Sequence, residues 1–304
     1  MELRHLRYFC AVVQEKGFAR AAEVLNVSQS AISEQIRSLE EELGVELFDR
    51  TEHRARLNVH GDVFFVEAQR TLAAAGAAVE AAQRSARGEI GMLKIGFFVG
   101  GTDALFPALI RKFRVQSPGI RVSLIEMGPV QQHSALLAGT IDIGFTRVLQ
   151  APKHSELRSE LFYVEPLVAA LPKGHSLAAG SVAAGSVKVA QMADEPFVIT
   201  HRETSPALFD KVIALCREAG FSPNIAASAA VASSVLTLVA AGEGVAILPR
   251  NTLKLAPSDV VSVPIKNDLA SIDLVLAWSA RREGPILRSF LQLARKDRKA
   301  SPRT

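Results

Sequence analysis

Apolar positions in the first sixty residues recur in three successive helical periods. Leu3, Leu6, Phe9 and Val13 are spaced for one face of a first helix ending near Gly17. Ala21, Ala22 and Leu25 mark a short second helix whose small side chains let another helix approach closely. Asn26-Val27-Ser28 then makes a tight connection, with Ser28 as N-cap of a third helix. Ile32, Ile36, Leu39 and Leu43 line one face of that helix. Ser30, Ser33, Glu34 and Arg37 lie opposite, where a recognition helix would meet base edges. After Gly44, Val45-Glu46-Leu47-Phe48 and Leu57-Asn58-Val59 flank a polar segment carrying Arg50, Arg54 and Arg56. That reads as a two-stranded wing with arginines placed for phosphates or a minor groove. A helix-turn-helix accounts for the pattern. Periodicity alone fits a generic three-helix bundle with a solvated basic loop equally well.

From Asp62 to Arg87 there is no proline and alanine dominates, which predicts one long helix. Phe65, Leu72, Val79 and Ala86 recur every seven residues, with Ala68, Ala75 and Ala82 at the complementary position. This is a seam for close helix pairing between copies, or for packing on its own domain. Gly88 and Gly91 supply a hinge.

Beyond Met92 strands alternate with helices. Leu93–Phe97, Arg121–Glu126 and Ile141–Phe145 read as strands, with helices over Phe106–Val115 and Gln131–Ala138. Further strands are expected at Glu165–Leu171, Phe197–Thr200, Gly244–Pro249 and Ile272–Trp278. A final helix is expected over Ile286–Ala294, with a frayed basic tail from Lys296. Repeated β-α-β units predict a parallel sheet with helices on both faces. The chain is thus α/β overall: an N-terminal all-α winged helix-turn-helix (1–60), a linker and dimerisation helix (61–88) and a sensing domain (89–304). Within the last, one subdomain spans about 89–163 and 268–296, the other about 164–267.

In open α/β sheets, ligands lie beyond the carboxyl ends of the strands, near helix N-termini. That rule nominates Gly100, Gly101 and Thr102, then Pro129 and Gln131, then Thr146 and Arg147. From the second half it adds Thr200, His201, Arg202, Thr204 and Ser205. Arg147 and Arg202 together would favour an anionic ligand such as a small carboxylate. Either could instead be solvated or ion-paired.

Composition changes this picture little. The net charge is +4, yet up to residue 60 acidic residues outnumber basic ones, so bulk charge carries no argument for nucleic acid. No apolar run approaches the ~20 residues of a membrane span, and the N-terminus lacks the pattern of a signal peptide. Cys10 and Cys216 are far apart, which fits two buried free thiols in a reducing cytoplasm. His133, His154, His175 and His201 lack metal-ligand spacing, and neither a Gly-x-Ser-x-Gly elbow nor a P-loop is present. No enzyme activity, cofactor or metal is expected.

The stretch from Phe18 to Glu40, through Ala21-Ala22, Ser28-Gln29-Ser30-Ala31-Ile32-Ser33 and Ile36-Arg37-Ser38-Leu39-Glu40, resembles the signature of LysR-type transcriptional regulators. Leu43-Gly44-Val45-Glu46-Leu47-Phe48-Asp49-Arg50 continues the match. Ser30 stands where the family commonly has proline, and Glu34 where it commonly has a base. The resemblance implies duplex promoter DNA as partner, read by Ser28, Gln29, Ser30, Ser33, Glu34 and Arg37. Arg20, Arg50, Arg54 and Arg56 would hold the backbone or minor groove. It also implies self-association through Phe65, Ala68, Leu72, Ala75, Val79 and Ala82 as a dimer or tetramer, with RNA polymerase as a further partner. Ile125-Glu126-Met127-Gly128 with Gln131, and Gly139–Arg147, resemble the regulators of aromatic-acid and catechol breakdown. That implies a two-subdomain sensor similar to type 2 periplasmic binding proteins, with an aromatic or dicarboxylic acid effector in its cleft. Gly100 and Pro129 align where muconate responders present hydroxyls, a departure that implies a different inducer.

Overall fold

The structure, a computed structural model, describes residues 1–49, 55–99, 105–147, 156–178 and 185–300. It divides into two compact units, Met1–Ala86 and Arg87–Thr304.

In the first unit, α1 (Leu3–Gln14), α2 (Phe18–Leu25) and α3 (Gln29–Leu43) surround Phe9, which is fully buried. Its ring meets Phe48 and Phe64 edge-on, with centroids 5.5 and 5.1 Å away. Ala21 and Ala22 are buried as the close-approach face of α2, and Ile32, Ile36 and Leu39 as that of α3. Asn26 takes the left-handed conformation (φ 55°) that ends α2. The wing exists as one antiparallel bridge, Phe48 to Leu57, extended by bonds from Asp49 N to Arg56 O and from Asn58 N to Leu47 O. Its tip, with Arg50 and Arg54, lies outside the described residues. The Glu40 carboxylate fastens its base by accepting from Leu47 N at 2.7 Å.

Val59 is not the last wing residue but the first of α4 (Val59–Ala86), three residues ahead of the predicted start. The cause is Asn58, whose Oδ1 accepts from Gly61 N at 2.9 Å and whose Nδ2 donates to Glu46 O. Gly61 is required there, because a Cβ would lie 2.1 Å from Leu47 O. The predicted seam is split. Ala68 is buried in this unit's own core, with Phe65 and Leu72 packed against it. Ala75 is half-buried, while Val79 and Ala82 are exposed. Heptad spacing marks an apolar stripe and does not say what covers it.

The second unit is built on a seven-stranded sheet. β1 (Gly91–Phe97), β2 (Ile120–Glu126) and β3 (Ile143–Thr146) are parallel in order β2-β1-β3. β9 (Ser271–Ser279) joins β3 antiparallel, and the sixteen-residue β4 (Leu157–Pro172) joins β9 antiparallel. β7 (Ala246–Pro249) and β8 (Val260–Pro264) complete the sheet on β4. β5 (Pro196–Thr200) and β6 (Asn224–Ala229) form a separate parallel pair. The expected all-parallel sheet is therefore mixed, because the chain crosses between two cores on β4 and returns on β9. Phe162, Leu274 and Trp278 belong to one core, with α5 (Leu105–Gln116) and α9 (Pro285–Ala300). Leu167, Leu171 and Ile272 belong to the other, with α7 (Pro206–Glu218) and α8 (Ala232–Ala240). α6 (Pro129–Ala138) covers the opposite face of the first core's sheet through Leu136. α7, β6, α8 and β8 had no counterpart in the sequence reading, and α9 continues to Ala300 where fraying was expected. Gly88, in the predicted hinge, takes φ 73°, and a Cβ there would lie 2.8 Å from Pro285 Cβ.

Candidate functional site

Two sites emerge, one in each unit. In the first, α3 presents a polar edge. Ser28 adopts extended φ/ψ and its Oγ accepts from Ala31 N at 3.2 Å, capping the helix, while lying 3.0 Å from Ser30 Oγ. Gln29, Ser30, Glu34 and Arg37 are exposed and Ser33 is half-buried. Arg20 on α2 and Arg56 on the wing are exposed as well. The arrangement offers hydroxyl, amide, carboxylate and guanidinium groups on one helix, a mixed donor and acceptor set suited to base edges.

In the second unit, a cavity of about 520 Å³ opens between the two cores. Six strand ends converge on it, through Phe98 after β1, Met127 after β2, Arg147 after β3, Thr200 on β5, Ala230 after β6 and Pro249 on β7. The first turns of α6, α7 and α8 border it too, through Pro129–Gln131, Ser205 and Ala232–Ser233. Helix N-termini carry partial positive charge, so this convergence favours an anionic group. The three are not equivalent. α6 and α7 each begin with a proline, which has no N–H, and Gly128 N already donates to Gln131 Oε1 at 3.1 Å. α8 has no side-chain cap, and its first ladder bonds are donated by Ser234 and Val235 to Val231 O. The N–H groups of Ala232 and Ser233 precede that ladder, at the cavity wall.

Of the residues predicted to meet a ligand, Pro129, Gln131, Arg147, Thr200, Thr204 and Ser205 line the cavity. Gly100, Gly101 and Thr102 lie outside the described residues. Thr146 is buried and is not among the lining residues. His201 is not among the lining residues; its backbone N–H donates to Ala229 O and its carbonyl accepts from Ser205 N. Arg202 points to solvent, where Asp210 holds it through Nε and Nη2 at 2.7 and 3.1 Å. The hydrogen bond from Arg202 holds the Asp210 carboxyl below its ordinary value. Arg147 is in the wall but is no open anion hook. It is paired with Glu165, donates to Ile272 O at 3.4 Å, and its guanidinium carbon lies 5.5 Å from the Phe98 ring centroid. The Thr204 hydroxyl lies 2.7 Å from Ala230 O, bracing the α8 entry loop.

Sequence reasoning missed Thr252, which is buried in the cavity wall and whose Oγ1 has no hydrogen-bond partner among the described residues. The strand-end rule, applied after Pro249, would have reached it. The apolar walls, among them Phe98, Met127, Val231 and Leu255, had no comparable signal. Among the described residues no group of three or more His, Cys, Asp or Glu could hold a metal ion.

Comparison with known proteins agrees with this geometry. Residues 3–62 match the model described as bacterial regulatory helix-turn-helix protein, lysR family, and residues 86–299 match the LysR substrate binding domain. The transcriptional regulator AlsR of Bacillus subtilis (strain 168) is 36% identical over 295 residues, covering 97% of this chain and 95% of the relative. The regulator ClcR of Pseudomonas putida is 32% identical, covering 96% and 98%. The crystal structure of full-length CbnR complexed with its target DNA superposes with a TM-score of 0.75 at 29% identity, covering 98% of this chain and all of that one.

Proposed function

The chain belongs to the LysR family of DNA-binding transcriptional regulators and is not an enzyme, and from that premise we propose that it couples a small anionic effector to promoter binding. One observation carries the effector reading: the cavity is lined by both the uncapped first turn of α8 and Thr252, whose buried hydroxyl has no partner among the described residues. A carboxylate suits the helix terminus, and an apolar body suits Phe98, Met127 and Val231. That selects a small acid with an aromatic or aliphatic body. Glu126 and Glu203 at the cavity would oppose a second unscreened carboxylate, so a monoacid fits better than a dicarboxylic acid.

On the DNA side, Gln29, Ser30, Ser33, Glu34 and Arg37 read the major groove of an interrupted palindrome, with Ser28 as the cap that orders the start of their helix. Glu34, which would repel phosphates, accepts instead from cytosine N4. Arg20, Arg50, Arg54 and Arg56 hold phosphates. The protein acts as a homo-oligomer in the cytoplasm, paired through the part of α4 around Ala75, Val79 and Ala82, and works with RNA polymerase. An effector that binds one arrangement of the two cores better than the other shifts the balance between them, and so the spacing of the DNA heads.

The test is a salt-dependent titration of the full chain on DNA upstream of its own gene, against a scrambled fragment, with and without a panel of small carboxylic acids. Specific binding that an aromatic or aliphatic monoacid alters supports the reading. Specific binding that no acid alters would sink the effector half and leave the DNA half standing.

A further inference from the structure

Among the described residues, the charged side chains that line the effector cavity are Arg147, Glu126 and Glu203. Arg147 is already answered by the buried carboxylate of Glu165, so that pair adds no net charge. Glu126 ends β2, in the sheet of the first core, and Glu203 follows β5, in the second. Both are exposed, and neither has a hydrogen bond or ion pair with a described residue. Glu203 feels Arg202, its neighbour in the chain, but that guanidinium is claimed by two bonds to Asp210. The cavity therefore holds two carboxylates without a bonded partner, one from each core.

The positive end they share the cavity with is weak. The uncapped N-terminus of α8 contributes about half an elementary charge, through the N–H groups of Ala232 and Ser233. A plain carboxylate gains at that terminus and loses against Glu126 and Glu203. A ligand that carries its own cation escapes the conflict. Thr252 fits the same reading: its hydroxyl, buried in the wall with no partner among the described residues, can accept from an ammonium or donate to a carboxylate.

We propose that the effector is a zwitterion, an amino-substituted carboxylic acid with an apolar body, whose carboxylate takes the α8 terminus and whose ammonium takes Glu126 and Glu203. This rests on the carboxylic-acid reading above and adds the cation to it. The net charge of such a ligand is zero, and its carboxylate remains the anionic group that the helix terminus selects. Its ammonium offsets two like charges that belong to different cores, and so favours the arrangement that brings those charges nearer.

The experiment is titration calorimetry of the full chain with matched triplets, each a plain acid, its amino acid and the corresponding amine. One triplet is 4-methylpentanoate, leucine and 3-methylbutylamine; another is 3-phenylpropanoate, phenylalanine and 2-phenylethylamine; a third, with the amine at the far end, is pentanoate, 5-aminopentanoate and butylamine. In at least one triplet the amino acid should bind about tenfold or more tightly than either companion. In a Glu126→Gln/Glu203→Gln variant that amino acid should lose roughly fivefold or more, while its plain acid binds as before or better. Both side chains are exposed, so thermal unfolding should be unchanged. Plain acids that bind as tightly as their amino acids overturn the zwitterion and leave a carboxylate effector standing. Amines that bind as tightly as their amino acids overturn it and take the carboxylate reading with them. Equal losses of acid and amino acid in the variant also overturn it, since the two glutamates would then be shaping the wall. If no triplet member binds while another acid alters promoter binding, the zwitterion alone falls; if no acid acts at all, both readings fall.

Discussion

The Arg147 guanidinium and the Glu165 carboxylate pair at the cavity wall with only 3% and 1% of their side chains exposed. Two charges taken out of water are tolerable there because each answers the other and both have further partners, Ile272 O for Arg147 and Asn251 N for Glu165. Removing one strands its partner. Arg147→Met should destabilise the second unit by about 3–5 kcal/mol, and Arg147→Met/Glu165→Leu should recover most of that loss. Trp278, the single tryptophan and 2% exposed, reports unfolding of this unit in urea by fluorescence. If the double variant lost as much as the single one, the stranded charge would not be the cause.

Thr252 supplies the complementary case, a polar group with no partner among the described residues. Thr252→Val keeps the shape and removes the desolvated hydroxyl, so stability should hold or rise slightly. An effector that bonds this hydroxyl should bind the variant roughly three- to tenfold more weakly, the value of one ordinary hydrogen bond. Titration calorimetry on an acid found in the screen measures it. Unchanged affinity would place the ligand away from Thr252.

Elements carried by local rules were legible in the sequence. Ser28 was readable as a cap because its oxygen needs only the N–H three residues on, and the strand-end rule found six cavity residues because it depends on topology alone. Asn58 follows the same rule as Ser28 but was read as a strand residue, since the apolar Leu57 and Val59 around it suggested alternation. What failed were partner assignments. Arg147 and Arg202 were read as a joint anion site, with solvation or ion pairing left open, and no local rule named Glu165 and Asp210 as the carboxylates that complete them. The parallel sheet failed for a similar reason, because β4 runs on from Leu157 across two cores and no local period marks where a strand changes core.

Ser28→Ala removes the acceptor for Ala31 N and should cost about 1 kcal/mol of stability in the first unit. Because the cap orders the start of α3, affinity should fall similarly on every DNA sequence. Ser33→Ala removes no capping bond and should instead change the ranking of sites. Melting curves together with binding to a small library of variant sites separate the two. A changed ranking from Ser28→Ala alone would assign Ser28 to base reading.

Burial pushes the Cys216 thiol up to about 11, and its side chain sits in the second core. At pH 7 only about one molecule in ten thousand carries the reactive thiolate there. Native protein should therefore resist iodoacetamide at this position, and one more thiol should label after denaturation than Cys10 alone accounts for. Peptide mapping of labelled protein distinguishes the two cysteines. Rapid native labelling of Cys216 would show that the second core opens far more often than its packing implies.

The Glu160–Arg295 pair gives the fastening of α9 to β4 a defined pH dependence. Arg295 donates to the Glu160 carboxylate through Nε at 2.8 Å and also through Nη2, and this holds the carboxyl below its ordinary value. A carboxyl depressed in the folded state stabilises fully above its unfolded value, about 4.3, and the contribution fades as pH falls through the lower folded value. Both side chains are a third or more exposed, so solvent screening limits the effect to about 0.5 kcal/mol. Glu160→Gln should therefore lower stability at pH 7, by less in 1 M salt, and should make no difference once pH is below the folded value. Urea midpoints of wild type and variant across an acid series test this. A deficit that persisted undiminished into that acid range would mean Glu160 holds α9 through packing of its stem, with the charge irrelevant.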